Sequence, residues 1–224
     1  MKLQVIWDNF PQIMEGLRLT VYYSIVAIIL AVIFGLIAAL MKLSKSATLR
    51  GLATVYIEVF RSTPLLVQLF FIVFGLTGVL PLNEWFGQKF YPIMAATITL
   101  ALHEGAYVSE IIRAGILGVD RGQKEAAASI GMTEFQRMRY IVLPQAFKRM
   151  IPPLVNQSAQ TIKDTSLLAP IGIIELVYRG QIVISSTFEP FTIWVVIGIL
   201  YFIIIFSVSQ FASYLERRMQ LDKR

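Results

Sequence analysis

The chain has 224 residues, of which 56% are hydrophobic and only 15% charged, whereas about a quarter of the residues of an ordinary soluble domain are charged. It has no cysteine and one histidine, which excludes disulfides, thiolate metal sites and a metal site built from histidines alone. Its net charge of +6 comes from basic residues that stand in the gaps between apolar runs, a pattern typical of membrane topology rather than of nucleic-acid binding.

Five apolar runs are each long enough to cross the hydrocarbon core of a bilayer, which takes about 20 residues. The segment before the first run has neither an apolar core next to a basic start nor a small-residue cleavage site, so we expect no removed signal peptide and a retained first span. The predicted spans are about Leu17–Met41, Leu52–Gly75, Pro92–Ala114, Ile151–Val177 and Phe188–Tyr214.

The positions of the basic residues predict the orientation of these spans, because positively charged flanks remain in the cytoplasm. Fifteen of the 20 Lys and Arg residues lie between spans one and two, between spans three and four, or after span five. Lys2, Arg18, Lys89 and Arg179 lie on the opposite side, and Lys163 lies within span four. The N-terminus is therefore predicted outside the cell and the C-terminus inside it.

The outer loop between spans two and three is rich in aromatic residues that suit the membrane interface, and it is predicted to include a short surface helix. These residues are Trp85, Phe86, Phe90 and Tyr91. The odd number of spans and the lack of inverted halves do not fit a secondary transporter built from internal repeats.

The polar segment between spans three and four is predicted to form two short cytoplasmic helices. Asp120 is a typical N-cap for the first helix, and Gly131 is a typical stop at its end. Thr133 and Gln136 form a capping box for the second helix, which Pro144 is expected to end or kink.

At 100° per residue, each of these two helices has one apolar face. We expect each helix to bury that face against another surface. The faces consist of Ala126, Ala127 and Ile130 in the first helix and of Phe135, Met138 and Val142 in the second. The small side chains of the first helix would allow a partner surface to approach closely, as in a groove. The simpler alternative is that both helices pack on the cytoplasmic ends of the spans or lie on the membrane surface.

The sequence EAAASIGMTEFQRMRYIVLP in this segment resembles the EAA motif of permease subunits of ATP-binding-cassette (ABC) importers. That motif runs Glu-Ala-Ala, three residues, Gly, nine residues, Ile, one residue, Leu-Pro. The residues that match it at this spacing are Glu125, Ala126, Ala127, Gly131, Ile141, Leu143 and Pro144. Because the gaps agree as well as the residues, the signal is strong.

The resemblance extends over nearly the whole chain, since EVFRSTPLLVQLFF, AYVSEIIRAGI and KDTSL look like the polar amino-acid branch of that family. It implies an all-α integral membrane protein of the type I ABC importer fold, with five transmembrane helices in a single permease domain over residues 1–224. It also implies that coupling helices within residues 118–147 sit in a cleft of the ATPase. The residues that would couple to the ATPase are Glu125, Ala126, Ala127, Gly131, Leu143 and Pro144.

The resemblance also implies the partners and the location of the chain. These are two nucleotide-binding ATPase subunits, a second permease subunit that is identical or a close paralogue, and an extracytoplasmic solute-binding protein, in the bacterial cytoplasmic (inner) membrane. The chain lacks the Gly-x-x-x-x-Gly-Lys-Ser/Thr loop that cradles a triphosphate. We therefore expect a non-catalytic, multi-pass subunit without cofactor or metal of its own, driven by ATP and Mg²⁺ in the partner ATPase. Closure of the ATPases would then change which side of the membrane the central site faces.

Two spans carry polar stripes, although an ionisable group near the bilayer centre costs about 2.5–3.5 kcal/mol. On a helical wheel each stripe occupies about 120° of its helix. The stripes consist of His103, Glu104, Tyr107 and Glu110 in span three and of Asn156, Gln157, Gln160, Lys163 and Asp164 in span four. We interpret them as the lining of a substrate path. The alternative is that Lys163 and Glu104 neutralise each other while the amides form hydrogen bonds between helices.

Span four also contains two sites where its helix is expected to be interrupted. Pro152 and Pro153 are expected to open the helix, and the sequence APIG at 169–172 is expected to break it just beyond Asp164. Broken helices at the membrane midplane are where transporters often bind ions and polar solutes.

An amino-acid substrate offers an ammonium group, a carboxylate and a side chain to the polar stripes. Asp164 is a candidate for the ammonium group, and Lys163, Ser166 or freed backbone amides are candidates for the carboxylate. The predicted substrate-binding residues are His103, Glu104, Tyr107, Gln160, Lys163, Asp164 and Ser166.

Glu104 adds a carboxylate that would suit a cationic side chain, so arginine, histidine or lysine is the predicted substrate. The alternative is glutamine or another polar amino acid. Arg61 is expected to face the cytoplasmic interface or neighbouring carbonyl groups rather than the substrate.

Two further features concern the packing of the spans. Pro64 is expected to kink span two. Gly35, Gly75 and Gly105 are expected to allow close helix approach.

Two other classes of protein compete with a transporter. In a membrane enzyme, Lys163 and Ser166 could form a dyad and His103 and Glu104 an acid–base pair, but this leaves the EAA match unexplained. A structural or sensing membrane subunit would need neither polar stripes nor an insert that docks on an ATPase.

Overall fold

The computed structural model describes residues 3–220, and within that range the chain forms helices joined by short turns, without strands. The α-helices are α1 (Leu3–Leu43), α2 (Ala47–Ser62), α3 (Leu65–Phe70), α4 (Leu82–Phe86), α5 (Phe90–Leu117), α6 (Arg121–Ser129), α7 (Glu134–Gln136), α8 (Leu143–Asp164), α9 (Leu176–Thr187) and α10 (Pro190–Gln220). Phe71–Gly75 and Arg137–Val142 form π-helical turns, and Leu76–Gly78 and Thr165–Ile171 form 3₁₀-helices. Lys2, Lys223 and Arg224, which enter the charge count, lie outside the described residues.

Two of the described helices, α1 and α10, are long and apolar enough to cross a membrane. The number rises to four if each of two bent helix pairs is one span. One pair joins α2 to the helical segment 65–78 with a bend of 107°, and the other joins the segment 134–171 to α9 with a bend of 47°. The 28 residues of α5 also have the length of a span, about 42 Å.

The predicted second span is divided at Pro64, which confirms a kink at that residue. Thr63 adopts an extended conformation, as expected for a residue that precedes proline. The Gln68 side chain donates from Nε2 to the carbonyl groups of Phe60, at 2.9 Å, and of Thr63, at 3.1 Å. These bonds satisfy carbonyl groups that the end of α2 leaves without a helical partner.

The prediction that Pro152 and Pro153 open the fourth helix is wrong, because α8 runs through both. The neighbouring Met150 is buried in a cluster with Ile112 and Ile116 of α5, and this packing opposes the loss of two backbone donors. The break that was expected from APIG occurs at Gly172, which has a left-handed φ of 85°.

The prediction that Pro144 ends the second insert helix is wrong. Pro144 also does not separate that helix from the fourth span. A π-helical turn precedes it, and Pro144 lies in the first turn of α8, where a missing N–H is tolerated. The second helix of the insert therefore continues into α8.

The most extensive contact between two of the described helices is that of α1 with α5. Glycines in both helices let the two backbones approach closely. A Cβ atom at Gly35 would lie 2.5 Å from Val108 Cγ1 and 2.9 Å from the Gly105 carbonyl oxygen. A Cβ atom at Gly105 would lie 3.1 Å from Phe34 Cβ. These distances confirm the prediction that Gly35 and Gly105 allow close helix approach.

Replacing Gly35 with alanine is expected to destabilise the purified protein, because the added methyl group meets backbone as well as side chain and overpacking costs about 1–3 kcal/mol. The matched control is Gly51→Ala in α2, where the new Cβ would meet nothing within 4 Å and helix propensity improves. Thermal unfolding in detergent should show a lower midpoint for Gly35→Ala and an unchanged or higher one for Gly51→Ala. Equal midpoints would contradict the close approach.

Local signals in the polar insert produce the predicted helix ends. The Asp120 carboxylate accepts from the backbone N–H of Gly122 at 2.7 Å, and Thr133 and Gln136 form the predicted capping box. Gly131 has a φ of 82°, and its neighbour Met132 donates from its backbone N–H to a carbonyl of α6. This bond completes the usual left-handed glycine end of a helix.

Within the described chain, the insert helices bury only the smaller side chains of their apolar faces, and burial of the larger ones against a partner surface stays a prediction. Ala127 and Val142 are buried, but Ile130 is 78% exposed and Phe135 is 70% exposed. α6 is short, and the chain turns at Gly131, directly after Ile130. Within the described residues, Ile130 and Phe135 are therefore left uncovered.

Candidate functional site

The polar stripe of α5 meets the break between α2 and α3 through a hydrogen bond from His103 to Gln68. His103 Nδ1 lies 3.0 Å from Gln68 Oε1, and both side chains are buried. Gln68 Nε2 already donates to backbone carbonyl groups, so its oxygen must accept and His103 Nδ1 must carry the proton. This hydrogen bond therefore holds the break between α2 and α3 against α5, the helix that carries Glu104.

Glu104 is the most deeply buried charged residue of the predicted site, with 1% exposure. Its Oε2 accepts from Gln157 Nε2 at 2.7 Å, and the Thr161 and Asp164 side chains adjoin the same carboxyl group. Its Oε1 is buried without a hydrogen-bond donor. Two carboxyl groups thus lie side by side between α5 and α8.

The Asp164 carboxylate lies at the edge of the site, where the chain becomes more open. Its Oδ1 accepts from Gln160 Nε2 at 2.9 Å, and Gln160 is exposed. Within the described residues 3–220, neither Asp164 nor Glu104 forms an ion pair. Adjacent carboxylates without a counter-ion repel each other, and a bound cation would relieve that repulsion.

Tyr107 extends this site toward the end of α2. Its ring lies 5.4 Å from the ring of His103, and the Arg61 guanidinium lies over it at 5.3 Å from the centroid. Arg61 is exposed, so its expected orientation toward the cytoplasmic interface or carbonyl groups rather than the substrate stays a prediction. A cation over an aromatic face is attracted to it, and this attraction places Arg61 beside the polar stripe.

Lys163 and Ser166 lie on the other side of α8 from Glu104. They line a groove of about 360 Å³ between α8, the 3₁₀-helix after it and α10. Lys163 thus does not neutralise Glu104, and the alternative in which these two residues pair is wrong. Consecutive residues differ by 100° around a helix, so Lys163 and Asp164 point to different neighbours.

Glu110 belongs to the predicted stripe by its position on the wheel but not by its contacts. It accepts from Lys42 Nζ at 3.1 Å and from Arg113 Nη2 at 2.7 Å. These two cations neutralise its carboxylate, so Glu110 links α1 to α5 and is not free to bind a substrate.

The other predicted surface, formed by the EAA residues, lies outside this polar site. Glu125 is exposed and pairs with Arg121 at 3.0 Å, while Ala127 is buried against the bundle. Ala126 and Pro144 are exposed, Leu143 is half-buried, and Gly131 forms the turn between the two insert helices. Ile130 and Phe135 are exposed on either side of this turn.

Sequence reasoning missed Gln68 and Thr161 as members of the buried site. The signal for Gln68 was its place four residues after Pro64, where it reaches carbonyl groups freed by the break. Gln157 was recognised as part of the stripe, but only the structure shows that its amide bonds to Glu104.

Comparison with known proteins gives a consistent family and fold. Residues 31–221 match the family described as binding-protein-dependent transport system inner membrane component. The glutamine transport system permease protein GlnP of Escherichia coli strain K12 is 36% identical over 216 residues, which cover 96% of each chain. The probable glutamine ABC transporter permease protein GlnM of Bacillus subtilis strain 168 is 34% identical over 98% of this chain and 99% of its own.

Solved structures share the same arrangement of helices. A crystal structure of an amino acid ABC transporter with histidines superposes with a TM-score of 0.88 at 37% identity, over 97% of this chain and 99% of that chain. An inward-facing structure of the MetNI methionine ABC transporter superposes with a TM-score of 0.71 at 18% identity, over 96% of this chain and 99% of that chain. The second similarity concerns the fold alone.

Proposed function

The chain belongs to the binding-protein-dependent transport system inner membrane component family, and on this premise we propose that it is the transmembrane subunit of an ATP-driven importer of glutamine or a similar polar amino acid. Its full-length relatives are permease subunits of ABC transporters for glutamine. As in that family, ATP hydrolysis belongs to a separate subunit. We propose five spans in a multi-pass inner-membrane protein, with the N-terminus outside, α5 as the third span and each bent helix pair as one span.

The observation that carries the substrate proposal is the pair of adjacent carboxyl groups, Glu104 and Asp164, which have no cation of their own. A buried anionic pair suits the ammonium group that all amino acids share. Glu104 is almost fully buried and bonded to Gln157, so Asp164, at the open edge of the site, is the carboxylate that would contact the ammonium group directly, with Glu104 behind it.

The neighbouring amides suit a substrate side chain that donates hydrogen bonds. Gln157 and Gln160 use their amide nitrogens toward Glu104 and Asp164, which leaves their amide oxygens as acceptors. A side-chain amide or an imidazole N–H can donate to such oxygens. Glutamine, the alternative given from the sequence, fits these acceptors, and its support over a basic amino acid comes from the glutamine permeases among the relatives.

The EAA turn is proposed to couple this site to the ATPase. Ile130 and Phe135 are large, apolar and exposed, and burying each against a partner would contribute about 1.5–3 kcal/mol. We propose that two nucleotide-binding subunits, a second permease copy or close paralogue, and an extracytoplasmic binding protein complete the complex, with ATP and Mg²⁺ in the ATPase. Movement of this turn would shift the site between outward-facing and inward-facing states.

Competition in proteoliposomes tests the substrate. The complex should take up labelled glutamine, with unlabelled glutamine as the strongest competitor, histidine weaker, and arginine and lysine weakest. If arginine or lysine competes better than glutamine, the substrate is basic and the proposal of glutamine is wrong.

Glu104→Gln is expected to weaken uptake of glutamine and of histidine in parallel, by about tenfold or more, because a charge-assisted hydrogen bond contributes about 1.5–3 kcal/mol. The matched control is Glu15→Gln, which breaks the ion pair of a half-exposed carboxylate with Arg179 and should change uptake less than about twofold. The readout is the concentration of each amino acid that gives half-maximal uptake. A loss confined to arginine and lysine would assign Glu104 to a cationic side chain instead.

A further inference from the structure

We propose that a groove between α1 and α2 binds one phospholipid with an anionic headgroup, whose acyl chain lies in the groove and whose phosphate is held by Lys45 and Arg50. The groove has a volume of about 200 Å³ and lies close to the turn that joins the two helices. This ligand is distinct from the transported amino acid, so the proposal goes beyond the proposed function. It uses only the proposed orientation, which puts the α1–α2 turn at the cytoplasmic surface.

The lining of the groove suits a hydrocarbon chain. Its sides include Phe34, Ile37 and Met41 of α1 and Leu52 of α2, and the described residues that line it include no charged side chain. Ile37 is 52% exposed and Leu52 is 58% exposed, so the rim of the groove is open. An acyl chain can enter there from the bilayer without covering a polar group that needs a hydrogen-bond partner.

Tyr56 joins the groove to α5, and its one polar side-chain atom is already satisfied. The Tyr56 hydroxyl donates to the Leu102 carbonyl at 2.6 Å, and both residues line the groove. A Cβ atom at Gly105 would lie 2.9 Å from the same hydroxyl oxygen, so the glycine makes room for the tyrosine. Tyr56 therefore offers an apolar ring to an acyl chain while it rests on α5 at the residue that precedes His103.

The depth of the groove matches the hydrocarbon layer of one leaflet. Phe34 lies about ten residues before Ser44, and Tyr56 lies about ten residues after Ser46, which is about 15 Å along either helix. The hydrocarbon core of a bilayer is about 30 Å thick, so one leaflet accounts for about 15 Å. A phospholipid whose chain fills the groove therefore has its headgroup at the level of the turn.

The turn offers two cations to that headgroup. Arg50 Nη1 donates to the carbonyl groups of Ser44, at 3.0 Å, and of Lys45, at 2.8 Å, which holds the guanidinium over the turn and leaves its other N–H groups for a phosphate. Within residues 3–220, the Lys45 ammonium has one ion pair, with Glu134 at 3.9 Å, and both of these side chains are at least 80% exposed. Such a solvated pair is weak, so Lys45 can also bind a phosphate.

The two cations favour a phospholipid over a second permease copy as the occupant. Any apolar surface could cover the rim, but only an anionic ligand also neutralises Lys45 and Arg50. Basic residues beside the cytoplasmic leaflet attract anionic lipids. Phosphatidylglycerol combines the acyl chain and the negative charge in one molecule, so it is the probe that fits both parts of the site.

Photolabelling of the purified complex tests the site directly. The probe is phosphatidylglycerol with a diazirine in one acyl chain, present at low content in nanodiscs of phosphatidylcholine. It should label the segments 34–41 and 52–56 about tenfold more strongly than a phosphatidylcholine probe with the same diazirine. The exposed face of α10 at Phe202 and Phe206, which adjoins no cationic turn, should be labelled equally by the two probes.

Charge variants test the phosphate site. Lys45→Gln, which leaves the Arg50 bonds to the turn intact, should reduce labelling of the groove by phosphatidylglycerol about fivefold, and Lys45→Gln with Arg50→Gln should reduce it about tenfold or more. The matched control is Arg217→Gln with Arg218→Gln, which removes two exposed cations at the end of α10. This control should change labelling of the groove less than about twofold.

Size variants test the acyl-chain site. Leu52→Trp narrows the groove and should reduce labelling of the segment 34–41 about fivefold or more. Val55→Trp is the matched control, because Val55 is also exposed on α2 but does not line the groove, and it should leave that labelling unchanged.

Four results would overturn the proposal. Equal labelling of the groove by the two probes, or unchanged labelling in both charge variants, would remove the phosphate from the turn. Unchanged labelling in Leu52→Trp would remove the chain from the groove. Leu52→Cys introduces the one cysteine of the chain, and an oxidised permease–permease disulfide at this position would assign the groove to a second copy. None of these measurements requires transport, so they stand even if the proposed substrate is wrong.

Discussion

Replacing both Ile130 and Phe135 with glutamate is expected to separate the chain from its ATPase partner. Both side chains are large, apolar and exposed at the EAA turn, and loss of their burial would remove about 3–6 kcal/mol of binding free energy in total. That loss corresponds to about two to four orders of magnitude in affinity. Co-purification of the nucleotide-binding subunit should be lost, and ATP-driven uptake with it.

The matched control for this double variant changes the charge by the same amount in the first turn of α6. Gln123→Glu with Lys124→Gln also lowers the charge by two, but it removes no exposed apolar side chain. We expect co-purification to continue and uptake to fall less than about tenfold, because charges at the rim of an interface contribute little. If both double variants retain the ATPase equally well, the EAA turn is not the docking surface.

Asp164→Asn is expected to reduce uptake of every transported amino acid by about a hundredfold, with assembly unaffected. The substitution removes the charge that the ammonium group needs, but the side-chain oxygen can still accept from Gln160. Loss of one partner from a buried charge pair costs about 3–5 kcal/mol. Because Asp164 is the last residue of α8, removing its negative charge relieves an unfavourable interaction with the helix dipole.

The measurements for Asp164→Asn are initial uptake, co-purification of the ATPase and ATP hydrolysis without substrate. Uptake should fall while the other two remain close to wild type. Asp8→Asn, an exposed position near the start of α1, is the control and should behave as wild type. Normal uptake by Asp164→Asn would show that the ammonium group is recognised elsewhere.

The features that sequence predicted well depend on neighbouring residues. Asp120, Thr133 and Gly131 specify helix ends through bonds to backbone atoms within a few residues, and Pro64 restricts the conformation of Thr63 directly. A short pattern contains all of the interacting groups in such cases. The position of each helix end therefore follows without knowledge of the rest of the fold.

The features that sequence missed depend on residues far apart in the chain. Glu110 shares a wheel position with the stripe, but its role is decided by Lys42, 68 residues away. Gln157 and Glu104 are 53 residues apart. Helix periodicity gives the face of a residue but not the helix that covers that face, so it could not separate a binding carboxylate from one that is already neutralised.

Helix breaks also depend partly on neighbouring residues and partly on residues far away in the chain. The pair Pro152 and Pro153 looks more disruptive than APIG, yet α8 continues through the prolines, and the 3₁₀-helix that follows α8 ends at Gly172. Packing of Met150 against α5 stabilises the first region, whereas a left-handed φ at Gly172 redirects the chain in the second. Local helix propensity alone could not predict which of these two sites interrupts the helix.

The most direct test of the transport proposal is accumulation of glutamine against its own gradient. Proteoliposomes containing this chain, its ATPase and its binding protein, with ATP on the ATPase side, should accumulate glutamine on that side above the concentration at which it was supplied. Replacement of ATP by a non-hydrolysable analogue should abolish the accumulation. Glutamine that only equilibrates across the membrane, or accumulation that persists without ATP hydrolysis, would contradict an ATP-driven importer.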